Sequence, residues 1–120
     1  MKASDLPIDY NMCEILEHNL EHRADKTALL SEHGTMTFRE VSNQVNQIGN
    51  ALTRLGGRFG ECVAILCPDR PEWVTTFFAT AKIGGVVLGM NTLLTTEEYD
   101  YILKDARVRV LVLHDSPLEL

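Results

Sequence analysis

The chain has 120 residues, of which 45% are apolar and 23% charged, the length and composition of one globular domain with a real core. Eleven lysines and arginines against seventeen aspartates and glutamates leave a net charge of −6, which argues against a general nucleic-acid binder with its concentrated basic face. A wholly disordered chain, a collagen-like repeat and a disulfide mini-protein are excluded on the same numbers.

Residues 1–10 carry Pro7 and no periodicity, so an irregular arm is predicted. Asn11 followed by Glu14 has the spacing of a capping box, which predicts a helix over about Met12 to Glu21, ended by Asp25 and Lys26. Thr27 to Ser31 reads as a short strand, Glu32-His33-Gly34 as a turn, and Thr35 and Met36 as the return of a hairpin. Thr37 and Glu40 repeat the capping-box spacing. Behind them Phe38, Val41, Val45, Ile48, Leu52 and Leu55 recur at intervals of three and four, one apolar stripe on a helix of about five turns. Asn43, Gln44, Asn46 and Gln47 fall on its other faces, and Gly56-Gly57 ends it with glycines that accept positive φ.

Three predominantly apolar runs follow: Cys62–Leu66, Val86–Met90 and Val108–Leu113. Runs of this length, rich in Val, Ile and Leu, read as strands covered on both faces. Between the first two lies a helical segment, residues 71–85, with Pro71 in its first turn, Asp69 as its cap and Gly84-Gly85 at its end. Trp73, Val74, Phe77, Phe78, Ala81 and Ile83 surround most of it, which predicts deep burial. Between the second and third runs, Thr95 and Glu98 cap a helix reaching Ala106, with Tyr99, Ile102 and Leu103 on its apolar face. Strand, helix, strand, helix, strand predicts an α/β class: a three-layer arrangement with a short parallel sheet (strands near 62–66, 86–90 and 108–113), covering helices and an N-terminal hairpin. The pattern leaves the strand order open.

The cysteines Cys13, Cys62 and Cys67 are odd in number and include no CxxC pair, which points to free thiols in a reducing compartment. The N-terminus has early acids and no apolar stretch of signal-peptide type, and no window approaches a transmembrane length. A soluble cytoplasmic domain without a membrane span is the expectation.

The search for chemistry finds no catalytic, cofactor-binding or metal-binding residue. Gly56, Gly57 and Gly60 follow a helix and precede a strand, the reverse of a dinucleotide-binding turn, and no GxxxxGK[ST] occurs. His18 and His22 share a face at i and i+4, but two histidines fall short of the three or four ligands zinc requires. His33 sits in a turn and His114 follows the last strand, each without a partner in the sequence. No GxSxG elbow is present, and Ser4, Ser31, Ser42 and Ser116 suit caps, turns or a helix surface. Cys67 stands at a strand's carboxyl end, where α/β proteins place active groups, yet Asp69 beside it opposes thiolate formation. Glu97 and Glu98 open a helix, where the dipole favours negative charge.

The succession of segments carries more. It runs DKTALL at 25–30, GTMTFRE at 34–40, VNQIGNAL at 45–52 and GECVAIL at 60–66. It continues PEWVTTFFATAKIGGV at 71–86 and NTLLTTEEYDYILKDA at 91–106. In this order and spacing the chain resembles, over residues 11–113, the start of the AMP-forming acyl-CoA synthetases of the adenylate-forming superfamily. The stretch from Asn91 to Leu113 is similar to the benzoate-CoA ligase branch in particular.

The resemblance implies that residues 1–120 are the N-terminal part of a large adenylate-forming domain whose remainder is absent. The implied reaction joins a carboxylic acid, aryl or fatty, to ATP as an acyl-adenylate with release of pyrophosphate. The thiol of coenzyme A then displaces AMP, and magnesium accompanies the nucleotide. In such enzymes the phosphate loop ending in Pro-Lys-Gly, the aromatic-Gly-x-Thr-Glu motif, the ribose-binding aspartate and the catalytic lysine lie further along. Residues 1–120 contain none of them, so no functional residue transfers to this chain, and it is expected to be inactive and to self-associate when alone. Two other readings stay open. One is a stand-alone α/β interaction or binding module. The other is a flavodoxin-like domain with a ligand crevice near Cys67 and Asn91.

Overall fold

A computed structural model describes residues 2–5 and 9–114 of the chain. Pro7 of the expected arm and Ser116 lie outside these residues; Ala3–Asp5, with Ser4, forms one 3-10 turn. The helices are α1 (Glu14–His18), α2 (Leu20–Arg23), α3 (Phe38–Arg54), α4 (Pro71–Lys82) and α5 (Thr96–Asp105), and the strands are β1 (Thr27–Ser31), β2 (Gly34–Thr37), β3 (Cys62–Leu66), β4 (Val86–Gly89) and β5 (Val108–Leu113).

β3 is the centre of a three-stranded sheet in the order β4-β3-β5, with both pairings parallel. α3 and α4 cover one face, where Val41, Val45 and Leu52 of α3 and Ala79 of α4 meet Val63 and Val110. α5 covers the other, where Tyr99 meets Ala64, Leu66 and Met90. Alternate residues of β3 therefore enter opposite cores, which is why its run is apolar throughout. All five of its residues are buried, whereas β4 and β5 leave Val86, Leu111 and Leu113 at least a third exposed. Cover on both faces holds for β3 and fails for its neighbours, because each of them is a sheet edge among the described residues. The second apolar run ends as a strand at Gly89, and the Met90 N–H still donates to the Ile65 carbonyl at 2.9 Å.

Two of the capping boxes form as read. The Glu40 N–H donates to Thr37 Oγ1 at 3.2 Å and the Thr37 N–H donates back to Glu40 Oε2 at 3.1 Å. Thr95 and Glu98 make the same exchange at 3.2 and 2.8 Å. These bonds satisfy helix donors that have no partner within the helix. Gly56, at φ +94°, ends α3, and the Gly57 N–H donates to the Leu52 carbonyl at 2.8 Å.

The first helix differs from its prediction. Asn11 Oδ1 accepts from the Cys13 N–H at 2.8 Å and Asn11 Nδ2 donates to the Ala81 carbonyl at 2.7 Å, so its amide makes a local turn and ties the segment to α4 instead of capping. α1 starts after Cys13, without a side-chain cap, and the helix breaks at Asn19 into α1 and α2. Asn19 Nδ2 donates to the Ile15 carbonyl at 2.7 Å, a side-chain bond that competes with the helix ladder.

α4 also departs from its pattern. Its N-cap is Arg70, without a side-chain cap bond, since Asp69 stands one position too early for a helix whose first residue is Pro71. Its buried residues are Thr75, Thr76, Ala79 and Thr80, while Trp73, Phe77 and Phe78 remain half-buried on its flank. Small side chains let α4 lie close to α3, where Gly49 faces Ile83 and the Ala79 carbonyl. The Thr75 hydroxyl donates to the Glu72 carbonyl at 3.2 Å and that of Thr80 to the Thr76 carbonyl at 2.8 Å, so these polar groups are buried without an unmet bond. Lys82 pairs with Glu17 at 2.6 Å and donates to Asn46 Oδ1 at 2.8 Å, joining α4 to α1 and α3. Ser42 is buried, not on the helix surface as its sequence position suggested.

β1 and β2 form the expected antiparallel hairpin, closed by Ser31, whose hydroxyl donates to the Gly34 carbonyl and accepts from the His33 N–H, each at 3.2 Å. Leu29 packs on the α3 core, and Leu30, on the opposite face, is 82% exposed. No helix among the described residues is long and apolar enough to cross a membrane.

The packing of α4 through small residues gives a direct test. Ala79→Leu is expected to destabilise the chain by about 1–3 kcal/mol through overpacking, whereas Leu30→Ala should change stability by less than about 0.5 kcal/mol. Denaturant midpoints of the two variants check this, and equal midpoints would contradict the close α3–α4 contact.

Candidate functional site

A cleft of about 590 Å³ lies between α3, the carboxyl ends of β3 and β5 and the start of α4. Its long wall is apolar: Ile48, Leu52 and Leu55 from α3 and Ile65, Val112 and Leu113 from the sheet. Polar groups gather at its other end, where Gln44, Cys67, Arg70, Glu72 and His114 converge. Parallel strands place their carboxyl ends together, and the turns after β3 and β5 bring Cys67 and His114 there.

The electrostatics of this end are largely balanced internally. Arg70 Nε lies 3.3 Å from Glu72 Oε2. The Glu72 carboxyl is held below the ordinary range by its own backbone N–H and, against the opposing effect of burial, by Arg70 and by His33. Burial pushes the Cys67 thiol up, and Glu72 and Asp69 push it further, with Arg70 opposing them. Cys67 is therefore a protonated thiol in a carboxylate-rich corner, not an activated nucleophile. Cys13 and Cys62 are likewise raised, chiefly by burial, and all three cysteines are free. Gln44 Oε1 is buried without a hydrogen-bond partner among the described residues and belongs to the cleft lining.

The sequence candidates separate in space. His18 lies on α1 and His22 on α2, across the Asn19 break, and exposed His22 sits 3.8 Å from Glu21. His33 is in the hairpin turn, 3.5 Å from Glu32. No group of three or more His, Cys, Asp or Glu is placed to hold a metal ion among the described residues. Glu97 and Glu98 occupy the first turn of α5, and Asp69 borders a smaller hollow with Trp73 and Arg70. The crevice imagined near Cys67 and Asn91 does not form as one site. Asn91 is absent from the cleft lining, its Oδ1 accepts from the Leu93 N–H at 2.9 Å, and its carbonyl accepts from the Tyr99 hydroxyl at 2.8 Å. The sequence did not single out Gln44 or Arg70. Gln44 sits one position beside the apolar stripe of α3, where helical periodicity reads it as outward, and Arg70 lies in the turn between β3 and Pro71, where no periodic pattern marks it.

Comparison with known proteins follows the fold. The family model described as AMP-binding enzyme matches residues 16–119. The chain is 35% identical to the benzoate–CoA ligase of Thauera aromatica, over 98% of this chain and 23% of that protein. It superposes on an anthranilate CoA ligase, AuaEII, solved in complex with anthranoyl-AMP, with a TM-score of 0.92 and 57% identity, covering 99% of this chain and 23% of that one. It also matches the N-terminal domain of FACL13 from Mycobacterium tuberculosis, with a TM-score of 0.87 and 26% identity, over 92% of this chain and 29% of that one. The chain thus spans less than a quarter of the length of the benzoate ligase.

The raised thiols give an expected behaviour. In the native chain all three cysteines should react with a thiol reagent at pH 8 at least about tenfold more slowly than in denaturant. The native state holds these protons more tightly than the unfolded chain. Their stabilising contribution is therefore fully present below the ordinary thiol range and declines as pH rises above it. A native Cys67 that reacts at the denatured rate would contradict this.

Proposed function

The chain belongs to the AMP-binding enzyme family, and from that membership we propose that it supplies the opening scaffold of the large domain of an ATP-dependent acid–CoA ligase acting on an aryl carboxylic acid. The observation that carries this reading is the 57% identity, over 99% of the chain, to a ligase captured with an aryl acyl-adenylate. In the proposed reaction the acid attacks ATP, pyrophosphate leaves, and coenzyme A displaces AMP to give the thioester. Adenylation turns a poor leaving group into a good one and divides a hard acyl transfer into two easier steps. Magnesium would accompany the nucleotide, and the cytoplasm is the compartment that supplies these substrates.

The role of residues 1–120 in this reading is mechanical. They hold a parallel sheet whose central strand is covered on both faces and present the apolar cleft beside β5, whose unpartnered Gln44 Oε1 and exposed Leu113 suit further chain packed against it. A Pro-Lys-Gly phosphate loop does not occur in the sequence, so catalysis is assigned to residues outside it.

A chimera tests the proposal. When this chain replaces the matching quarter of the Thauera aromatica benzoate ligase, benzoate- and CoA-dependent AMP release should persist within about tenfold of the parent. The 120-residue chain by itself should release none, and light scattering should find it larger than a monomer. A chimera that folds with an unchanged melting transition yet forms no acyl-adenylate would overturn the scaffold reading. A monomeric isolated chain would favour a stand-alone module instead.

A further inference from the structure

The molecule's charge is unevenly placed. Residues 54–61 and 104–109 together hold five of the eleven cationic side chains and two of the seventeen acidic ones; Lys104 is paired with Asp100 at 2.8 Å, and with that acid counted this end carries +2 and the rest of the chain −8. The topology brings the two segments to one end. α3 stops at Arg54, β3 and β5 begin at the paired residues Cys62 and Val108, and the Arg109 guanidinium lies over Gly56, 2.8 Å from where a Cβ there would be. Arg54, Arg58, Arg107 and Arg109 are all exposed.

The same end carries an aromatic tip, Phe59, which is 88% exposed. The tip is held in place: the Gly60 N–H donates to the Gly84 carbonyl and the Glu61 N–H to the Arg58 carbonyl, both at 2.9 Å. The Phe59 ring rests against Gly84, where any Cβ would come within 2.5 Å of it. An aromatic ring fixed outward on a braced loop keeps its apolar surface in water with little freedom to withdraw it, so a partner that covers it gains that burial at small cost in chain ordering.

We propose that this end is a docking surface for an anionic phospholipid bilayer, with Phe59 entering the headgroup boundary and the arginines meeting the lipid phosphates and carboxylates. An exposed aromatic ring at the same end as a group of cationic side chains is the pattern of interfacial attachment, and the acidic remainder of the chain orients the molecule by repulsion from the same surface. A single-stranded nucleic acid fits less well, because the patch offers one aromatic ring where stacking of successive bases uses several. The inference stands independently of the ligase reading.

Vesicle flotation tests it. The chain should float with phosphatidylserine-rich vesicles at low salt, remain behind with pure phosphatidylcholine, and be released by high salt. Phe59→Ser should reduce flotation severalfold and Arg58→Glu about tenfold, both with the wild-type melting transition. The aryl-ligase chimera described above should float as the chain does. Equal flotation of Phe59→Ser and wild type, failure of the chimera to float when the chain does, or no binding to anionic vesicles would overturn the proposal. So would a loss of self-association in Phe59→Ser, which would assign the patch to a second copy of the chain.

Discussion

The structure depends on the burial of one strand. β3 has neighbours on both sides and helices on both faces, and Val63, Ala64 and Ile65 have no exposed surface. A strand so placed has every backbone group paired and each side chain committed to one of two cores. Everything else can be read as what this arrangement requires. Parallel pairing demands long crossovers, which α4 and α5 supply, and two-faced cover demands a third helix, which α3 supplies from the preceding sequence. The cost falls on β4 and β5, whose outer edges and exposed Val86, Leu111 and Leu113 lack what β3 has.

Much of this was legible in the residues. The apolar runs located the three parallel strands, and the Thr37–Glu40 and Thr95–Glu98 pairs located two helix starts, because capping is local chemistry that needs no tertiary partner. The failures share a cause. Asn11 had the capping spacing, yet its Oδ1 accepts from the Cys13 N–H and not from Glu14, while its Nδ2 is fixed on the Ala81 carbonyl, seventy residues away, a contact that no local pattern reports. α4 was read by counting apolar residues, whereas its burial is set by the closeness of α3, which selects Ala79 and three threonines over the aromatics. The strand order was undetermined for the same reason, being a property of the assembled sheet.

The candidate site was less legible than the fold. Cys67 and His114 were visible as residues after strands, but Gln44 and Arg70 reach the cleft only through the way α3 and the β3–α4 turn meet the sheet. The cleft itself is an apolar wall ending in an internally neutralised Arg70–Glu72 pair, with a protonated thiol beside it. Such a surface suits packing against more protein better than it suits bond making. That agrees with a chain that aligns with less than a quarter of each full-length ligase described above and contains no phosphate-binding loop.

The central claim joins a strand complete in itself to the proposal that the neighbouring β5 edge packs against further chain. Hydrogen exchange resolved by residue, run on the 120-residue chain and on the same segment within a full-length ligase, measures both halves of it. The account predicts that the amides of Val63–Leu66 are the slowest to exchange in either context. The outward amides of β5 should be fast in the short chain and protected in the long one. β3 amides exchanging as quickly as those of the β1–β2 hairpin, or β5 amides equally slow in both contexts, would contradict it.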